Sequence, residues 1–427
     1  MNILTTLANA WKIPDIRKKI IFTLLMMVVF RLGCAIPIPG IDRSILTALF
    51  ESNEGGLFSM FDLFSGGAFS NFTIFALSIT PYITASIILQ LLTIAVPALE
   101  ALAREGVEGR KKIVRYTRYL TVVLALVQSI GLTVGLFNQA VVDKSVFSLI
   151  VIILVLTAGT AFLMWLGEQI NEYGIGNGIS LVIFAGIIAR VPSALQQMYL
   201  GVKEGTTSIL TVILFAIFAV VVVIGVIMVQ QGARKIPVQY AKRVVGRKMY
   251  GGQSTHIPIK VNQAGVIPVI FAMALLATPL TVTYFAPNSG FADFVTKWLS
   301  PAGNPGVWVY GILNFVLIIF FTYFYTAITF NPGEVAQNMK ANGGFIPGIR
   351  PGAPTIEYLT KVMTRITLVG ALFLAIVSTL PTVLSRLMHL DIGFGGTSLL
   401  IAVGVGLDLM KQIENQLVMR NYSGFLK

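Results

Sequence analysis

Residues 208–229 read SILTVILFAIFAVVVVIGVIMV, an apolar stretch with no charged side chain. At 1.5 Å of rise per residue, about 20 such residues cross the roughly 30 Å hydrocarbon core of a bilayer as one α-helix. A helix on a soluble surface needs a polar face, and this stretch has none. It reads as a membrane span.

Working outward from it, comparable stretches give ten candidate spans: 20–38, 72–97, 119–137, 146–167, 178–200, 208–229, 264–286, 307–330, 366–384 and 392–410. Of the 427 residues 56% are hydrophobic and 11% charged, against roughly 25% charged in a typical soluble domain. The predicted fold class is an all-α polytopic membrane protein with ten transmembrane helices. The first run, Ile20 to Ile38, passes into a Pro/Gly loop without a small-residue cleavage site, so it reads as a retained span, not a signal peptide. The fifth departs from the pattern. Its uninterrupted apolar core, Ile179 to Ala189, is too short to span alone and is followed by Arg190 and Pro192, which suits burial among other helices.

Lysine and arginine accumulate on the cytoplasmic side of membrane proteins. With the N terminus inside, 24 of the 31 basic residues fall in the N-terminal segment, the loops after spans two, six and eight, and the C-terminal tail. Arg43, Lys144, Arg190, Lys203, Lys297 and Arg386 fall outside, and Arg31 lies within span one. Both termini are therefore predicted to be cytoplasmic. The net charge of +13 belongs to that face, where anionic lipid, ribosomal RNA or an acidic protein could answer it.

Ten spans divide into two fives, 1–200 and 201–427, a plan in which inverted halves meet along a pathway, although no residue-level repeat relates them. Spans two and seven both carry proline, Pro81 in one and Pro268 and Pro279 in the other. A proline inside a span removes a backbone bond and is tolerated beside other helices or a wet cavity. Span two also carries a polar stripe of Ser78, Thr80, Thr84, Ser86, Gln90 and Thr93, expected to face helices or water instead of lipid. Ile79, Ile83 and Ile87 recur at i, i+4, i+8, as do Ile179, Ile183 and Ile187 in span five, so each set should share one helix face.

Between spans one and two, Phe58 to Asn71 reads FSMFDLFSGGAFSN, apolar enough for a membrane but too short and glycine-rich to cross it. Residue chemistry alone leaves an interfacial or re-entrant segment and an ordinary amphipathic surface turn both open. Residues 230–263 form a long basic loop whose alternating Ile236, Val238 and Tyr240 predict a protruding hairpin. A second loop, 331–361, presents Arg350 in a Gly/Pro setting.

Two histidines and one cysteine, Cys34, offer no metal cluster or disulfide framework, so no metal and no cofactor are predicted. No phosphate loop, zinc-peptidase helix or serine nucleophile elbow occurs, and no catalytic residue is assigned. Gly174, Gly176 and Gly178 lie between two spans, outside any strand-turn-helix unit. Acidic residues deep in the spans, expected of an ion-coupled transporter, are nearly absent, with Asp408 close to the end of the last. A solute transporter and an intramembrane enzyme thus both lack their groups.

The runs SITPYITASIILQLL, MWLGEQINEYGIGNGIS, YAKRVVGRKMYGGQSTHIPIKVNQAGVIPVIFA, NPGEVAQNMKANGGFIPGIRPG and FGGTSLLI resemble, in order and across both halves, the SecY/Sec61 alpha family of Sec protein-conducting channels in its bacterial form. That resemblance implies two halves hinged between spans five and six around an hourglass pore. The family's pore ring falls on Ile79, Ile83, Ile179, Ile183, Ile270 and Ile401, its plug on 58–71 with Phe58, Phe61, Asp62, Phe64, Gly66 and Gly67, and its lateral gate on spans two and seven, here Thr80, Thr84, Gln90, Pro268 and Thr278. Arg243, Arg247, Lys248 and Arg350 become the expected contacts for the ATPase SecA or the ribosome. The resemblance also implies the small subunits SecE and SecG, signal sequences and unfolded preproteins, anionic lipids, YidC and SecDF as partners. It implies a passive pore in the plasma membrane, not an enzyme.

Overall fold

The computed structural model describes residues 3–42, 44–46, 62, 65–205, 208–240, 243–245, 248–250, 254–286, 289–300, 305–387 and 396–423. Its helices in chain order are α1 (Ile3–Lys12), α2 (Pro14–Gly33), α3 (Thr80–Ala95), α4 (Pro97–Arg104), α5 (Val107–Ile130), α6 (Val146–Tyr173), α7 (Gly178–Lys203) and α8 (Ile209–Gln231). There follow α9 (Ile267–Thr283), α10 (Gly290–Trp298), α11 (Gly306–Thr329), α12 (Pro332–Ala341), α13 (Ala353–Leu387) and α14 (Gly396–Ser423).

Among the described residues, six helices are long and apolar enough to cross a membrane: α5 with the π-helical turn Gly131–Leu136 that continues it, α6, α7, α8, α11 and α13. A seventh is added if α3 and α4, bent by 99°, count as one span. Of the ten expected, α2 carries charge at both ends, α9 has only 17 residues, and α14 runs into a charged C-terminal half. The short α9 is nonetheless almost wholly enclosed by protein, with Val269, Phe271, Ala272, Met273 and Leu276 all buried. A helix packed among helices need not match the bilayer thickness.

Two sequence expectations shift. Span two was expected from residue 72, but the helix starts only at Thr80; residues 66–79 are mostly turns, with Phe72 and Ser78 at positive φ (43° and 53°), a conformation no helix accepts. Pro81 and Pro268 were expected inside their spans, yet both stand in the first turn of α3 and α9. There the missing N–H would have had no helical partner, so each proline starts its helix without breaking it. Pro192 and Pro279, like Pro381 of α13, lie inside helices, and α7 continues through Pro192 to Lys203, making the fifth span one continuous helix.

Small residues set the closest crossings. A Cβ on Gly178 would lie 2.0 Å from the Gly167 carbonyl, and one on Gly159 would lie 1.9 Å from that of Ile74. These gaps let α7 and the 66–79 segment rest directly on α6. Asn177 caps α7 by accepting from the N–H groups of Ile179 (3.1 Å) and Ser180 (3.3 Å), Asn171 accepts from Gly178 N–H (2.8 Å), and Gly176 supplies φ +99°. The run GIGNGIS is thus a helix start built against α6. By contrast α8 exposes Ile213, Ile217, Val220, Val221 and Ile224 along its length, the surface expected to meet lipid.

The basic loop is a hairpin. Strands β1 (Ala233–Tyr240) and β4 (Ser254–Lys260) pair antiparallel with Ile236 opposite Ile257, while β2 (Arg243–Val245) and β3 (Lys248–Tyr250) pair at its tip. The second loop joins the same sheet through β5 (Gly344–Phe345), where Gln239 faces Phe345. Ile236, Val238 and Ile259 bury against Ala336, Met339, Ile346 and Leu359, making a separate small core outside the spans.

Candidate functional site

The largest buried cluster holds Ile79, Ile83, Ile183, Ile270 and Ile401, with Ile179 partly buried against it. Four elements deliver them. Ile79 caps α3 and Ile83 is in its first turn; Ile179 and Ile183 open α7; Ile270 opens α9; Ile401 lies in the second turn of α14. Exposures of 1%, 7%, 1%, 6% and 0% for the five leave no open passage beside them. Ile87 and Ile187 extend the same two helix faces into the cluster, at 4% and 0% exposure. Apolar side chains of this kind offer nothing that replaces the hydration of water or ions.

Ala68, wholly buried, belongs to the same cluster. It comes from the glycine-rich segment, whose Asp62, Ser65 and Phe69 are also buried, so the surface-turn reading fails. Gly66, at φ +64°, lies against α7 so closely that a Cβ would sit 2.8 Å from Cα of Gly186. Gly67 also has positive φ, +91°. Phe58, Phe61 and Phe64 lie outside the described residues.

Charged groups hold this segment: Asp62 was expected in it, whereas Arg31 and Arg190 entered the sequence reading only by their place along the chain. The Asp62 carboxylate pairs with the Arg190 guanidinium and accepts from Ser70 N–H (2.8 Å) and the Ser65 hydroxyl (3.2 Å). Arg31 Nη1 donates to the Gly66 carbonyl (2.7 Å). The available signal was their position: an arginine inside span one, another just after the apolar core of span five, and an aspartate in an otherwise apolar run.

Helices α3 and α9 are in contact, with Thr80, Thr84 and Gln90 half-buried on the first, and Pro268 buried and Thr278 half-buried on the second. The threonines do not bridge the two helices. Thr84 donates to the Thr80 carbonyl (3.1 Å) and Thr278 to that of Ala274 (3.0 Å), each within its own helix. Gln90 donates to the Ser86 hydroxyl (3.4 Å), again within its own helix.

On the basic face Arg350 is exposed, Arg243 and Lys248 begin the paired tip strands, and Arg247 lies outside the described residues. Elsewhere, α4 and the start of α5 carry Arg104–Glu100 (2.5 Å), Lys111–Glu108 (2.8 Å) and Lys112–Glu105 (3.6 Å) pairs, and Arg118 reaches Glu168 (2.6 Å). Lys111 holds the Glu108 carboxyl below the usual carboxylate range.

A polytopic helical protein in which four elements converge on one buried apolar cluster belongs with the membrane channels. The SecY family profile matches residues 73–410. Protein translocase subunit SecY of Streptomyces galbus is 50% identical over 99% of this chain and all of its own length, and that of Mycobacterium tuberculosis is 46% identical over the same shares. Two solved structures superpose at TM-score 0.64 with 21% identity, covering 93% of this chain and 92% of theirs: one described as a protein conducting channel, the other as a SecY protein whose plug domain stabilises the closed state. The canine Sec61 of a ribosome–channel complex superposes at 0.61 with 19% identity, covering 93% and 92%. The chain belongs to the SecY family.

Proposed function

We propose that this chain is the central pore of a Sec translocon, passing unfolded secretory polypeptides across the plasma membrane and releasing hydrophobic segments sideways into lipid. The observation that carries the reading is the single buried cluster of Ile79, Ile83, Ile183, Ile270 and Ile401, packed also by Ile179 and plugged by Ala68. Flexible apolar side chains can part around any passing chain without binding one sequence. The segment 58–71 acts as the plug, the two halves 1–200 and 201–427 hinge between α7 and α8, and α3 and α9 are the lateral gate. Polar Thr80, Thr84, Gln90 and Thr278 make that helix contact weaker than an all-apolar one. Hydrophobic segments then partition by transfer energetics, charged residues opposing entry by roughly 2.5–3.5 kcal/mol at the bilayer centre.

The basic face is cytoplasmic in this reading, with both termini, and the two long loops offer Arg243, Arg247, Lys248 and Arg350 to SecA or the ribosome. Arginine suits either, because its planar fork meets carboxylate or phosphate bidentately. SecE, SecG, anionic lipids, YidC and SecDF complete the proposed partners. The pore performs no chemistry; a motor or a translating ribosome supplies the work.

A cysteine at Ile83, introduced after replacing Cys34, should crosslink to a secretory precursor stalled in transit. No crosslink with the precursor engaged and the cysteine reactive would place the pathway elsewhere.

A further inference from the structure

Arg31 and Arg190, on two different helices, both reach the segment that carries Ala68 into the isoleucine cluster. Arg190 stands one turn beyond Ile187 on the face shared by Ile179, Ile183 and Ile187, so its position is registered to the constriction. The Asp62 side chain is 3% exposed and that of Arg190 28%. A buried carboxylate is tolerated while paired and hydrogen-bonded, and becomes costly when its partner is removed. The Gly66–Gly186 approach presses the same segment onto α7.

We propose that the Asp62–Arg190 ion pair, with Arg31 clamping the Gly66 carbonyl, is an electrostatic latch that seats the plug and sets how strongly a signal sequence must engage before the channel opens. The proposal rests on the plug reading above. A charge latch releases where apolar packing alone would not: once the segment moves into a wet funnel, each charge regains hydration as the pair is lost. Arg190, already partly exposed, is the side from which water enters. Asp62 and Arg190 are thus specificity-determining residues for substrate admission, and a weak latch admits weak signals.

The test uses the complete purified translocon with its motor in liposomes, reading resting ion conductance and translocation of two precursors, one with an intact signal and one with a shortened apolar core. Asp62→Asn and Arg190→Gln should each raise the resting leak about tenfold, a shift of about 1.4 kcal/mol in the closed–open balance, and reduce discrimination between the precursors. Because the two residues act as one pair, the double variant should leak no more than the worse single one, whereas independent effects would multiply to about a hundredfold. Wild-type leak and discrimination in both single variants, or multiplied effects in the double, overturn the latch. If the neutral variants fail to accumulate in the membrane, Arg190→Lys, which keeps the charge, should retain the wild-type leak and discrimination; a tenfold leak in it overturns the electrostatic latch. A wild-type channel that conducts no intact precursor would instead overturn the translocation reading itself.

Discussion

Gly66 and Gly186 meet backbone to backbone, and the distance leaves no room for a methyl group on Gly66. Gly66→Ala adds a positive-φ strain of about 1–2 kcal/mol to that clash, so the variant should show a raised resting ion leak while still translocating an intact precursor. Thr23 works differently. Its hydroxyl accepts from the buried Ile175 N–H (3.0 Å) and donates to the Lys19 carbonyl (3.0 Å), tying α2 to the turn before α7. Thr23→Val keeps the shape but orphans that N–H, and should lower stability by about 1–3 kcal/mol, read as a lower melting temperature in detergent. At this scale the shared faces of Ile79, Ile83 and Ile87 and of Ile179, Ile183 and Ile187 were legible from spacing, while only the resemblance pointed to Ile270 and Ile401 beside them in one buried cluster. The latch residues were not legible, because a lone arginine or aspartate in sequence does not reveal which distant charge it meets.

The hairpin of β1 and β4 was legible from alternating Ile236, Val238 and Tyr240. Its sharing of a sheet and a core with the second loop was not, because β5 is two residues long and has no pattern of its own. Val238 is wholly buried in that core. Val238→Asp places an unpaired carboxylate there at a cost of several kcal/mol, and should open the loop to trypsin at the basic residues of 233–260 and abolish motor-driven translocation with the spans intact; limited proteolysis of membranes checks this. The prolines of α3 and α9 teach a related lesson. Hydropathy extends an apolar run to its last apolar residue, so span two was expected to begin in the turns that precede Thr80, and Pro81 seemed internal. The backbone ends the helix where Ser78 adopts positive φ.

For the whole molecule, the proposed closure draws on several helices at once, since the isoleucine cluster takes residues from α3, α7, α9 and α14. Replacing Ile79, Ile183 and Ile401 together with glycine removes apolar volume from α3, α7 and α14 at once and should raise ion conductance of the resting channel in planar bilayers. An unchanged conductance would move the seal away from this ring. Composition, apolar run length and the distribution of lysine and arginine were enough to specify a polytopic helical membrane protein with one strongly basic face, because those properties follow from the transfer of side chains out of water and are local to each segment. Which helices are enclosed and which meet lipid, that residues 65–69 fold inward with Ala68 in the isoleucine cluster, and that Asp62 finds Arg190 were decided only by tertiary structure. Each depends on groups far apart in the chain, and the desolvation that makes a buried charge need its partner arises only when those groups have packed together.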